Sequence, residues 1–161
     1  MGGLIATQIV TPRLVLDPLS KETAAAVAAG DFSSIPHAAG WPHSDTLDAL
    51  RMMLAAADAS LVWLVTHEGT VIGDCGTVGG VDRVGDIELG YGLAAEYRGR
   101  GYGNEVVAAL SSWLIRAPGV RRVVARDVVA TNVASRRALE RAGFVLEREA
   151  RGLAWYALDG P

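Results

Sequence analysis

The stretch Tyr97-Arg98-Gly99-Arg100-Gly101-Tyr102-Gly103-Asn104-Glu105 stands between an apolar run and a helical stripe. Residues 86–93 before it read as a strand. After it, Val106, Val107, Leu110, Trp113 and Leu114 recur at helical spacing, so the stretch is a strand-to-helix turn. Glycine accepts positive φ and lets backbone approach a ligand closely. Successive N–H groups at such a turn converge, and the helix N-terminus adds partial positive charge. The turn is therefore a candidate pyrophosphate cradle, with Arg98 and Arg100 available for charge-assisted contacts. A tight loop with solvated arginines is the competing reading. A dinucleotide-binding fingerprint fits less well. Counted from Gly101 its third glycine falls on Val106, and the turn lies past mid-chain, behind strands joined by hairpins.

Outward from the turn, regular structure is expected almost throughout. Residues 11–17 alternate around Leu14 and Leu16 and read as a first strand stopped by Pro18. Ser20 caps an alanine-rich helix running to about Ala29, with Gly30 as its stop. Residues 31–44 read as a loop, and Leu47, Leu50, Met53 and Leu54 predict a helix from Asp45. Two apolar strands, 61–66 and 70–78, flank Glu68-Gly69, a hairpin signal. Residues 121–129 are rich in β-branched side chains, Asn132 opens a helix through Arg141, and 144–149 and 153–158 form a closing strand pair. The order β-α-α-β-β-β-α-β-α-β-β describes one α/β domain over residues 1–161. Its sheet is mixed and mostly antiparallel, flanked by helices.

Composition narrows the chemistry. A chain of 161 residues, 50% hydrophobic and 20% charged, suits a single globular domain. A net charge of −3 gives no electrostatic footprint for nucleic acid, and no apolar run approaches the length of a membrane span. Lys21 is the only lysine, which removes the P-loop and protein-kinase patterns. His37, His43 and His67 make no metal-ligand pattern, and the lone Cys75 excludes an internal disulfide or a cysteine-built zinc site. Cys75 reads as core rather than nucleophile. The start Met1-Gly2-Gly3 has Ala6 where a myristoylation signal wants Ser or Thr, and it lacks the features of a secretory leader. A cytoplasmic protein is expected.

Several motifs together resemble one family. Arg98-x-x-Gly101-x-Gly103 is similar to the (Gln/Arg)-x-x-Gly-x-(Gly/Ala) signature of the GNAT superfamily of acyl-CoA-dependent N-acyltransferases. Thr11-Pro12-Arg13-Leu14-Val15-Leu16, Glu88-Leu89-Gly90-Tyr91, Asn132-Val133-Ala134-Ser135 and Leu139-Glu140-Arg141-Ala142-Gly143-Phe144 resemble its ribosomal-protein N-terminal acetyltransferase branch. The resemblance spans nearly the whole chain in order. It implies a splayed central sheet and acetyl-CoA as donor. It places the donor pyrophosphate on the backbone of Arg98, Gly99, Arg100, Gly101, Tyr102 and Gly103, beside Asn104. It also implies a Leu93 N–H facing the thioester oxygen, and Asn132 bonded to the pantetheine chain. As a helix N-cap, Asn132 has a structural reading too.

Strand alternation puts Asp86, Glu88, Gly90 and Gly92 on one face, so Glu88 looks along a trough without side chains. It is the general-base candidate, with an ion pair to a neighbouring strand's arginine as the structural alternative. The family's frequent acid, a tyrosine seven residues after the Asn, is here Leu139. Ser135, one helical turn beyond Asn132, is implied by the resemblance to stabilise the leaving thiolate. Arg136, Arg137 and Arg141 read as a solvated basic face. Trp41 and Trp155 are candidates to line the acceptor site, the latter beside Tyr156. No metal is expected. The acceptor is a protein N-terminus or a small-molecule amine, and a homodimer through exposed strand edges is compatible with this pattern. The rival from another class is a non-catalytic acyl-CoA-binding or regulatory module.

Overall fold

In the computed structural model, which describes residues 3–55 and 59–161, eight strands form one sheet in the order β1-β2-β3-β4-β5-β6-β8-β7. Met1 and Gly2, where the lipid signal is sought, lie outside the described residues. The strands are β1 (Ile9–Val10), β2 (Val15–Pro18), β3 (Val62–His67), β4 (Thr70–Val78), β5 (Asp86–Leu93), β6 (Arg122–Val129), β7 (Val145–Ala150) and β8 (Leu153–Asp159). The helices are α1 (Lys21–Ala28), α2 (Ser44–Leu54), α3 (Tyr102–Ile115) and α4 (Val133–Arg141). Every neighbouring pair is antiparallel except β5 with β6.

The local signals act as expected in most places. The Ser20 hydroxyl accepts from Thr23 N–H at the start of α1, and the Asn132 side chain accepts from Ser135 N–H at the start of α4. Glu68 (φ 49°) and Gly69 (φ 81°) both take the left-handed conformation that a two-residue hairpin turn needs. The first strand is the exception. Residues 11–17 are not one strand. Thr11 N–H bonds to Leu14 O and Leu14 N–H returns a bond to the Thr11 hydroxyl, whose own proton goes to Glu105 Oε2 at 2.6 Å. That local ring makes a turn between β1 and β2. Pro18 ends β2 from inside, paired with Trp63. A 3₁₀ turn at Ala95–Tyr97, also absent from the expected order, separates β5 from the glycine-rich stretch.

Two apolar layers cover the sheet. Trp63, Val65, Ile72, Ile87, Leu89 and their neighbours pack under α3 and α4, with Val106, Val107, Leu110 and Leu139. On the other face, Val62, Leu64 and Val71 pack against Val27, Leu50 and Met53 of α1 and α2. Cys75 lies fully within the first layer, where burial pushes its thiol well above its ordinary pKa.

Strands β5 and β6 pair only at Asp86–Arg122, Ile87–Val123 and Glu88–Val124, and then part. The cause lies in β6. Its register against β8 shifts between Ala125 and Val128, and Asp127 within that shift has φ 54°. A bulge of this kind bends its strand and sharpens the twist. Below the fork, Arg122 grips Asp86 through two hydrogen bonds of 2.9 and 2.7 Å and reaches Glu147 at 2.6 Å. The Arg122 hydrogen bonds outweigh burial and lower the pKa of Asp86 from 3.8. Its contribution to stability is thus present above that value and is lost as pH falls through the lowered pKa. The Asp86 side chain is 5% exposed and that of Arg122 36%. Asp86→Asn is expected to cost about 2 kcal/mol, below the usual price of breaking a buried pair because Arg122 keeps Glu147 and solvent. Urea denaturation at pH 7 and near pH 3 checks this, since the gap between variant and parent should narrow in acid.

Candidate active site

The glycine-rich turn is built from both ends of the chain. Gly99 and Gly101 have φ of 74° and 83°, a region that L side chains enter with strain, and Gly101 forms the N-cap of α3. The first helical bond runs from Glu105 N–H to Gly101 O, so the N–H groups of Tyr102, Gly103 and Asn104 have no acceptor within the helix. Arg13, preceding β2, braces this turn from behind. Its Nη1 donates to Arg100 O at 2.9 Å and its Nε to Glu105 Oε1 at 3.0 Å, while its guanidinium lies 4.4 Å from the Tyr102 ring centroid. A peptide's C=O and N–H point opposite ways. Holding Arg100 O therefore turns Gly101 N–H outward. Burial raises the pKa of Glu105, but hydrogen bonds from Thr11 and Arg13 outweigh it and keep the carboxylate below 4.5.

The end of β5 supplies a second donor set. Ala94 N–H bonds to Ile72 O at 2.7 Å, which fixes the phase of the β4–β5 ladder. Antiparallel pairs alternate between bonded and unbonded, so the N–H groups of Leu93 and Tyr91 turn away from β4. They face the fork left by β6. Arg98 Nε donates to Leu93 O at 3.0 Å and holds this strand end. A cleft of about 230 Å³ fills the fork, lined by Gly90, Tyr91, Val128, Asn132, Ser135 and Leu139 among others. The side chains of Asn132, Ser135 and Leu139, at i, i+3 and i+7, come from one face of α4.

Glu88 belongs to the last pair before the strands part. Its face is that of α1 and α2, with Gly90 and Gly92 beyond it, and a Cβ built on either glycine meets nothing within 4 Å. Arg126 Nη1 lies 3.6 Å from Glu88 Oε2. Burial nevertheless raises the Glu88 pKa above 4.5, opposed by Arg126 and reinforced by Asp127. Opposite Gly92, on the same face, stands Asp74. Its Oδ2 accepts from Thr46 Oγ1 at 2.6 Å and from Trp41 Nε1 at 3.0 Å. Burial raises its pKa against those two bonds.

A glycine-rich turn at a helix N-terminus, a forked pair of strands and a carboxylate at the fork now stand together, and residues 13–145 match the family model of the acetyltransferase (GNAT) domain. The chain belongs to that family. With membership comes the activity the motifs imply, N-acetyl transfer. An uncharacterized N-acetyltransferase of Bacillus subtilis (strain 168) is 28% identical over 117 residues, covering 68% of this chain and 69% of that one. Among solved structures, a ribosomal-protein α-N-acetyltransferase in complex with coenzyme A superposes with TM-score 0.67 at 19% identity, over 96% of this chain and 98% of that one. An aminoglycoside acetyltransferase in complex with coenzyme A does so with TM-score 0.65 at 17% identity, over 91% and 94%.

Not every residue singled out by sequence stands free in this GNAT site. Arg98 is turned inward onto Leu93 O, and Arg100 stacks over the Tyr97 ring at 5.4 Å. Trp41 is 3% exposed, behind Asp74 rather than open to a ligand. Trp155 carries Arg148 over its ring at 4.3 Å, and Tyr156 is core. Arg136 is no solvated residue, since it donates to Tyr156 Oη, Ala130 O and Glu149. Arg13, Glu105 and Tyr91 stand within the quoted motifs without a role read from them, and Asp74 stands in none. Asp74 had a signal, a lone carboxylate inside the apolar run Val71-Ile72-Gly73-Asp74-Cys75. A larger open groove of about 670 Å³ lies at the far end of β5 and β6, but its carboxylate, Asp86, is committed to Arg122. Among the described residues no group of three His, Cys, Asp or Glu is placed to hold a metal, and no helix is long and apolar enough to cross a membrane.

Proposed function

We propose that this acetyltransferase moves the acetyl group of acetyl-CoA directly to a primary amine, of a protein N-terminus or a small molecule, with Glu88 as general base and Ser135 as hydrogen-bond donor to the leaving sulfur. The fork between β5 and β6 carries the reading, because Tyr91 and Ser135 line its cleft, Glu88 belongs to the last pair before it opens, and Leu93 and then the glycine turn follow along the chain beyond it. The residues fit the donor. Orphan N–H groups from Tyr102 to Asn104 suit a pyrophosphate, and the cleft suits an extended pantetheine arm beside Asn132. In transfer, Glu88 takes a proton from the ammonium and the neutral nitrogen attacks the thioester carbonyl. The oxyanion meets the Leu93 or Tyr91 N–H, a contact worth roughly 3 kcal/mol. The C–S bond then breaks, the sulfur leaves as thiolate, and the second proton shed by the new amide nitrogen reaches that thiolate through water. Trp41 acts through Asp74, and Trp155 walls the acceptor face. The reading places the enzyme in the cytoplasm, without a nucleic-acid partner.

Purified protein mixed with acetyl-CoA, a thiol reagent and an amine panel tests it. Amine-dependent thiol release is the expected result. Tight CoA binding with no release for any amine would instead support the non-catalytic module. Ser135→Ala gives a narrower check. A CoA thiolate leaves far more readily than an amine, so losing one hydrogen bond is expected to lower kcat about tenfold while acetyl-CoA affinity holds. A larger loss at unchanged affinity would make Ser135 an obligatory acid.

A further inference from the structure

Among the described residues, Asp74 is a carboxylate with no arginine or lysine ion-paired to it. Its residue is 9% exposed, and Oδ2 is occupied by Thr46 and Trp41. Oδ1 has no partner among the described residues. Yet no fully buried side-chain oxygen or nitrogen among them lacks a hydrogen bond, so Oδ1 reaches the open side. That side is the trough floored by Gly90 and Gly92, because Asp74 pairs directly with Gly92 and shares its face. The support behind it is rigid. Thr46 Oγ1 accepts from His43 N–H while donating to Asp74, so the cap of α2 sets the position of the carboxylate. Glu88, at the other end of the trough, already has Arg126 as its cation. No arginine or lysine among the described residues contacts Asp74, and the influences of His43 and Asp45 on it oppose each other.

This arrangement constrains the acceptor. An amine must be neutral to attack a thioester, so the reacting nitrogen cannot also supply a lasting positive charge to Asp74. We propose that Asp74 is a specificity-determining residue that binds a second cationic N–H group of the acceptor, so that the preferred substrates are small dibasic amines. The inference rests on the acceptor face assigned above. Gly92 and Glu88 lie four residues apart on β5, roughly 13 Å along an extended strand, and the reacting nitrogen sits between the two carboxylates. A short diamine or an amino sugar fits that spacing, whereas an N-terminal peptide offers one cation at its end.

Asp74→Asn is the decisive variant. Its amide oxygen can take the Thr46 and Trp41 hydrogen bonds while the NH₂ group faces the trough, so packing is kept and the charge is lost. Steady-state kinetics with diaminoalkanes of graded length, an amino sugar, the matching monoamines and a serine-initiated peptide supply the readout. The parent enzyme is expected to favour dibasic acceptors over their monoamines by tenfold or more. In Asp74→Asn their KM should rise by about 10–100-fold, the scale of one charge-assisted hydrogen bond, while the KM of the matching monoamines changes far less and the parent's preference for dibasic acceptors collapses. Equal preference in the parent, an equal loss for mono- and dibasic amines, or a favoured peptide indifferent to the substitution would each overturn the assignment. Calorimetric titration of the diamine separates the two levels of the argument. Asp74-dependent binding without any acetyl transfer would uphold this site and defeat the proposed activity.

Discussion

Gly101→Asp is expected to reduce CoA affinity by two orders of magnitude or more while the domain stays folded. Three effects act together at this position. The backbone is at φ 83°, so any side chain there carries strain of about 1–2 kcal/mol. A Cβ on Gly101 comes within 3.2 Å of Arg13 Nη2, drawing the brace out of line. The new carboxylate also lies against the N–H groups that suit the pyrophosphate, and loss of one charge-assisted bond with added repulsion amounts to roughly 3–4 kcal/mol. Gly101→Ala separates these contributions, since it imposes the strain without the charge. Calorimetric titration with CoA, alongside circular dichroism to confirm folding, gives the answer. Unchanged affinity in a folded Asp variant would remove the anion cradle from the argument.

The legible parts of this protein are those governed by local rules. Helical spacing from Val106 to Leu114, the Asn132 cap and the Glu68-Gly69 turn each depend on neighbours within a few residues, and each forms where the sequence places it. What sequence hides is long-range. Arg13 reaches Glu105 across 92 positions, and nothing near either residue announces the partner. The fork depends on a bulge that puts Asp127 in the left-handed region, a conformation aspartate tolerates but does not advertise. The break between β1 and β2 was lost for a different reason. The Thr11 hydroxyl competes with strand pairing by bonding Leu14, whereas the alternation of Leu14 and Leu16 suggests one continuous strand. Glu88 sits between these cases. Alternation fixes its face, but its Arg126 partner and its place at the fork emerge only from the tertiary fold.

Glu88→Gln is expected to lower kcat/KM by roughly 10²–10⁴-fold at neutral pH, because glutamine keeps the shape and loses the proton acceptance. The ion pair with Arg126 offers a structural role as the competing account, and pH separates the two. A general base works ionised. Activity of the parent should therefore fall as pH drops through the Glu88 pKa, which burial has moved up from 4.5. At high pH more acceptor is already neutral, so the deficit of Glu88→Gln should shrink there. Arg126 opposes the upward shift, hence Arg126→Gln should raise the Glu88 pKa further and carry the acid limb of kcat/KM to higher pH. A carboxylate that only braces β5 against β6 predicts no such movement. Its loss would lower stability, with little change in the pH profile of the folded enzyme. Parent-like activity of Glu88→Gln near neutrality with an authentic acceptor would assign Glu88 to structure, and the proton would then have to leave through water alone.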